Sequence, residues 1–143
     1  MMKYHQQLDI TDCGAACLAM VASHFGKNLS ISEIRNKAGT DIIGTNVNGM
    51  LIAAKSYGMK AVAVKGNPDA ITKKLDTPFI VHFHIVRDDN NWVDHYVVVK
   101  KITKRKKDKH QILALRCLSC PCCHSSDLAH YNHPIDILNY NNN

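Results

Sequence analysis

No apolar run in this chain approaches the roughly 20 residues that a membrane-spanning helix needs, so membrane attachment would have to come from another chain or segment. The stretch Met1–Ile10 has one lysine and no apolar h-region, which excludes a secretory signal there. The expectation is a cytoplasmic location, or the cytoplasmic face of a membrane through a partner. Without a secretory route a disulfide framework is disfavoured, and six cysteines read better as catalytic thiols or metal ligands. Acidic residues are short of basic ones, giving a net charge of +6, but the surplus is local: seven of the ten residues from Lys100 to Lys109 are Lys or Arg. That run lacks the interleaved aromatics of a single-strand binder, so it reads as a solvated turn, and no nucleic-acid partner is expected.

With 143 residues, 45% of them hydrophobic, the chain can bury a core without staples. Residues 12–25 predict a helix that is apolar nearly all round and therefore central. Asp12 is placed to cap it, accepting from first-turn N–H groups, and Gly26 stops it. Ser30 and Glu33 form an S-x-x-E capping box for a second helix ending near Ala38 and Gly39. A third helix is expected over Val47–Tyr57, closed by Gly58. The period then changes. Lys60–Lys65 alternates as a strand, and Asn67-Pro68 opens a short helix through Leu75. Phe79–Val86 and Trp92–Ile102 form a β-hairpin about the polar turn Asp88–Asn91, and His110–Cys117 is a further strand. Helices first and strands later predict an α+β fold with the helices packed on an antiparallel sheet. From about residue 117 apolar periodicity is lost. The division is residues 1–109 as a folded domain and residues 110–143 as a divergent, poorly ordered Cys/His- and Asn-rich tail.

The chemistry concentrates at the first helix. Cys13 falls in its first turn, where unpaired N–H groups and the helix dipole favour an anion, and the thiolate is the attacking form of cysteine. Gly14 follows, leaving room for a substrate backbone. Gln7 is a candidate oxyanion donor beside the Cys13 N–H. Of nine histidines, His5 and His24 have no element to hold them against the thiol, and His82 and His84 share one face of the first hairpin strand. His95 opens the second strand in His95-Tyr96-Val97-Val98-Val99, and is the candidate base.

The run Gln7-Leu8-Asp9-Ile10-Thr11-Asp12-Cys13-Gly14-Ala15-Ala16-Cys17-Leu18-Ala19-Met20 closely resembles the start of the C39 peptidases, the N-terminal peptidase domains of bacteriocin-exporting ABC transporters. Gly44-Thr45-Asn46 with Ala53-Ala54-Lys55-Ser56-Tyr57-Gly58-Met59, and Phe79-Ile80-Val81-His82-Phe83 with His95-Tyr96-Val97-Val98-Val99, resemble later parts of that domain, in order, over about residues 3–104. The resemblance implies a papain-like cysteine peptidase that cuts after a Gly-Gly pair ending a leader peptide, coupled to export by an ABC transporter's membrane and ATPase parts. It implies Cys13 as nucleophile, His95 as general base and Gln7 as oxyanion donor, with no cofactor required.

One family part is missing. An Asp, usually followed by Pro, normally orients the histidine from the next strand. No Asp-Pro occurs here, and Asp108, inside the lysine-rich run, is the nearest stand-in. The alternative is therefore a module that grips leader peptides without cutting. A third reading, a small zinc- or nucleic-acid-binding protein, rests on the basic run and on Cys117, Cys120, Cys122 and Cys123, whose spacing lacks two clean knuckles.

Overall fold

The structure is a computed structural model, which describes residues 1–66, 76–86, 92–104, 110–115 and 135–141. Among these, the helices come first: α1 (Cys13–His24), α2 (Ile31–Ala38) and α3 (Val47–Ser56). The strands are β1 (Lys60–Gly66), β2 (Phe79–Val86), β3 (Trp92–Lys104), β4 (His110–Leu115) and β5 (Ile135–Asn141). The α+β expectation holds.

Every residue of α1 from Cys13 to Ala22 is buried. Four alanines and Gly14 keep its surface low, so α2, α3, β2 and β3 all pack against it. Leu18, Met20 and Val21 are fully enclosed, each contributing about 1.5–3 kcal/mol of burial. The chain leaves α1 through Gly26, at φ +78°, a left-handed position that a Cβ would disfavour. In α2 the capping box is formed: the Glu33 N–H donates to Ser30 Oγ at 3.1 Å, and the Ser30 N–H donates to Glu33 Oε2 at 2.9 Å. The Ser30 N–H, and then the Ser30 hydroxyl donating to Oε2 at 2.8 Å, hold the Glu33 carboxyl below its ordinary pKa. In α3, Asn46 caps through its side-chain oxygen, accepting from the Gly49 N–H at 2.7 Å. Gly49 lies directly on the end of α2: a Cβ there would stand 2.1 Å from the Ala38 carbonyl oxygen.

The five strands form one sheet in the order β1-β5-β2-β3-β4, antiparallel at every pairing. The hairpin register sets His82 opposite Tyr96 and Phe83 opposite His95. Ile80, Tyr96 and Val98 join the helix-side core, while Phe79, Val81, Val97 and Val99 are buried on the other face. Burial on both faces explains why these strands read as nearly continuous apolar runs.

Two expectations need correction. Residues 135–141 fall in the stretch read as poorly ordered, yet they form β5, hydrogen-bonded to β1 along its whole length and to β2 from Phe79 to His82. Their order comes from two partner strands distant in sequence, which local periodicity cannot reveal. Asp12 occupies the position before α1 but makes no side-chain cap bond to it; its carboxylate is turned the other way, as described below. The expected helix opening at Asn67-Pro68 lies outside the described residues.

Candidate active site

Cys13 is the first residue of α1 and buried. The segment leading to it is a tightly bonded turn. The Thr11 N–H donates to Asp9 Oδ1 at 3.0 Å, and the Asp12 N–H donates to the Asp9 carbonyl at 3.1 Å. The Asp9 carboxyl is held below its ordinary pKa, first by the Thr11 N–H and then by the Thr11 hydroxyl. The Asp12 carboxylate folds back over this turn, accepting from the Asp9 N–H at 3.0 Å and the Leu8 N–H at 3.3 Å. It is also ion-paired with Arg35 of α2. Asp12 is engaged with the turn because the Leu8 and Asp9 amides need an acceptor in this part-buried segment and its carboxylate supplies one.

Gln7 lies at the head of this turn, buried, with its Nε2 donating to the Asp9 carbonyl at 2.8 Å. The bond fixes the plane of the side-chain amide six residues ahead of the thiol. His5, further upstream, is half-buried; burial, and secondarily Lys3, lowers its pKa. His24 lies at the far end of α1, edge-on to Phe25, away from the thiol.

His95 is buried in β3. The strand carrying it passes the start of α1. A Cβ on Gly14 would stand 3.2 Å from Tyr96 Cδ2, 3.2 Å from Met50 Sδ and 3.3 Å from Thr45 Cβ. The residue after Cys13 therefore presses on the residue after His95. This corrects the role expected for Gly14: the space it leaves is filled by three side chains and serves helix–strand contact. Tyr96 is itself held in place, its hydroxyl donating to the Thr45 carbonyl at 2.6 Å and its ring stacked on His82 with centroids 4.4 Å apart. Strand alternation puts Tyr96 on the helix side and His95 on the opposite face. Pairing of β3 with β4 begins only at Val98. The Cys13 thiol makes no hydrogen bond among the described residues. Such pairs are often long without substrate and tighten in the complex.

Asp108 and the four tail cysteines, Cys117, Cys120, Cys122 and Cys123, lie outside the described residues, as does the side chain of His84. Among the described residues, no three His, Cys, Asp or Glu side chains come together as a metal ion would need. Four apolar side chains are largely exposed nearby in the chain: Leu8 and Ile10 in the turn before Cys13, and Ile42 and Ile43 in the α2–α3 loop. The two loops come together where Gly44 lies near the Thr11 carbonyl. Sequence reading missed Arg35, Thr45 and Tyr96 as parts of the site. Arg35 gives no local signal, because its partner lies in a different element.

A helix-start cysteine packed on the strand of a buried histidine, in an α+β domain, is the frame of papain-like cysteine peptidases. The match to known proteins is direct. Residues 1–112 match the family model described as the Peptidase C39 family, and the chain belongs to that family of cysteine peptidases. It is 35% identical over 102 residues to the lactococcin-G-processing and transport ATP-binding protein LagD of Lactococcus lactis subsp. lactis, covering 71% of this chain and 14% of that protein. It is 36% identical over 102 residues to the pediocin PA-1 transport/processing ATP-binding protein PedD of Pediococcus acidilactici, with the same coverage. The chain thus spans about one-seventh of the length of these relatives. Among solved structures it is similar to the peptidase domain of Streptococcus ComA, a bi-functional ABC transporter, with a TM-score of 0.62 and 30% identity over 80% of this chain and 86% of that one. A double glycine motif protease from an AMS/PCAT transporter, crystallised with the leader peptide, shares the fold at a TM-score of 0.66 and 22% identity, covering 98% of this chain and 91% of that one. No helix among the described residues is long and apolar enough to cross a membrane.

Proposed function

We propose that this chain cleaves a double-glycine leader from a bacteriocin or similar peptide precursor, as the peptidase part of an ABC export system whose membrane and ATPase parts are on a longer protein or a separate chain. The observation that carries the reading is the seating of Gly14 against Tyr96. It supports a thiol at the head of α1 working with an imidazole on the stretch of β3 packed beside it. His95 takes the Cys13 proton, and the thiolate attacks the carbonyl of the second glycine. The Cys13 N–H and the Gln7 side-chain amide bind the oxyanion. The carbonyl re-forms as His95 protonates the departing amine, and water then hydrolyses the thioester. Every group in this scheme is a protein side chain or backbone amide, so no metal or cofactor is required. Asp108 is the proposed orienter of His95, and the tail cysteines are assigned no part. The exposed Leu8, Ile10, Ile42 and Ile43 suit apolar leader residues upstream of the glycines. The names of the relatives, which join processing to transport, support export coupling at the cytoplasmic face of a membrane.

A second reading, leader binding without cleavage, is favoured by one observation: the Cys13 thiol has no hydrogen bond among the described residues. Incubation with a Gly-Gly leader peptide separates the two. Cleavage after the second glycine, abolished by Cys13→Ala and by His95→Ala, supports the peptidase. Saturable binding of the leader with no product, in the wild-type chain, overturns it in favour of the binding module.

A further inference from the structure

The reaction scheme leaves one ion pair unused. Arg35, on α2 and one-third exposed, meets the Asp12 carboxylate, whose side chain is 3% exposed. Its guanidinium also donates to Thr11 Oγ1 at 3.3 Å. Asp12 in turn holds the Leu8 and Asp9 amides, Thr11 closes on Asp9, and the Gln7 amide is fixed to the Asp9 carbonyl. The segment between the oxyanion side chain and the nucleophile is thus organised around one buried carboxylate and one cation from another helix.

We propose that Arg35 is a positioning residue for peptide cleavage: acting through Asp12, it fixes the turn that orients Gln7 and delivers the Cys13 amide and thiol at the start of α1. The inference rests on the peptidase reading above, and the side-chain bonds of Arg35 go to Thr11 and Asp12.

The arrangement makes chemical sense on two counts. A carboxylate taken out of water needs its lone pairs satisfied and its charge compensated. The turn amides supply the first, and only Arg35 is ion-paired to it among the described residues. In addition, Asp12 adjoins the place where a second anion must form. Among the described residues, the charged groups bonded within this turn are Asp9, Asp12 and Arg35. A carboxylate lacking its guanidinium would oppose the thiolate at the same helix start. Because Asp12 is turned away from α1 and makes no cap bond, the first-turn N–H groups stay directed at the reacting carbonyl. One guanidinium nitrogen, Nη1, serves the Thr11 hydroxyl and the Asp12 carboxylate at once, a pair of bonds that the three protons of a lysine ammonium can partly reproduce.

The test uses the full chain with Arg35→Gln, Arg35→Lys and the neutral pair Asp12→Asn/Arg35→Gln. Three quantities are read: kcat and KM on a Gly-Gly leader peptide, iodoacetamide labelling of Cys13 against Cys17 by mass spectrometry, and the urea midpoint. R35Q is expected to lower kcat about 10²-fold, the scale of a misplaced reacting group, with KM changed by no more than about twofold. It should also slow Cys13 labelling, and R35K should recover part of both losses. A folded R35Q with wild-type kcat and wild-type labelling overturns the proposal. Should R35Q fail to fold, the neutral pair carries the test: a folded D12N/R35Q with wild-type kcat overturns it, and one with the same kcat loss supports it. Failure of the wild-type chain to cut any leader sinks the peptidase reading instead. The labelling arm still stands in that case, since Cys13 labelling indifferent to R35Q rejects the positioning role by itself.

Discussion

Gly14→Ala isolates the contact between α1 and β3. An added methyl would meet Tyr96 Cδ2 and Met50 Sδ at 3.2 Å and Thr45 Cβ at 3.3 Å, a few tenths of an ångström inside comfortable packing on three sides. Met50 can yield, because its thioether end is flexible. Tyr96 cannot, because its hydroxyl is bonded to the Thr45 carbonyl and its ring is stacked on His82. Thr45 is the acceptor of that same bond, so the two move together or not at all. Removing a helical glycine gains about 0.5–1 kcal/mol of backbone entropy, while overpacking costs about 1–3 kcal/mol. The expected net is a loss of roughly 1 kcal/mol, or about 0.5 M from the urea midpoint for a domain with a slope near 2 kcal/mol/M. The larger effect falls on chemistry. Relief of the overlap pushes β3, and His95 with it, away from the start of α1, and kcat/KM on the leader should drop about tenfold. Urea titration and steady-state cleavage of G14A read the two effects. Tyr96→Leu provides the internal control, since G14A should cost less in that background through loss of the shared contact. A G14A variant that is more stable than wild type and cuts normally, or that is strictly additive with Y96L, refutes the reasoning.

Three further outcomes follow from named contacts. Gly49→Ala places a methyl 2.1 Å from the Ala38 carbonyl oxygen; neither helix backbone can yield locally, so a loss of about 3 kcal/mol and roughly 10 °C in Tm is expected, and a calorimetric Tm within a degree or two of wild type would contradict it. Tyr96→Phe deletes the donor to the Thr45 carbonyl and should cost about 1–2 kcal/mol by leaving that oxygen unsatisfied, measured as a lowered denaturant midpoint with unchanged slope. His5 has its pKa lowered from 6.5 by burial and by Lys3, so the unfolded chain takes up its proton first as pH falls. Stability therefore declines below about pH 6.5, and His5→Gln should flatten the loss of Tm between about pH 7 and 5.5; equal slopes for the two proteins would remove His5 from the account.

Much of this architecture is local enough to be legible in the chain. The capping box of α2 needs only Ser30 and Glu33, three residues apart, and the structure forms it. The apolar circumference of α1 announces its burial, and the β-branched runs of β2 and β3 announce a hairpin. What escaped local reading is what depends on distant partners. Ile135–Asn141 carries only a short, interrupted alternation inside an Asn-rich stretch, and becomes a strand between two others. Asp12 has the composition of a cap but spends its oxygens on Leu8, Asp9 and Arg35. Gly14 looks like an opening for substrate and is a packing contact. For the site, residue chemistry alone made Cys13 and His95 candidates among several thiols and imidazoles. The ordered resemblance singled them out, whereas Arg35 and Tyr96 emerge only when separate elements are brought together.

The insertion of β5 between β1 and β2 has a consequence for biogenesis. On the ribosome the first two strands emerge well before the one that joins them, and their inner borders wait with backbone donors and acceptors exposed. Such borders invite pairing with neighbouring nascent chains. Polypeptides interrupted upstream of residue 135 would retain the helical layer and the β2–β3 ribbon but leave that gap unfilled, and they should sediment as aggregates or be captured by chaperones.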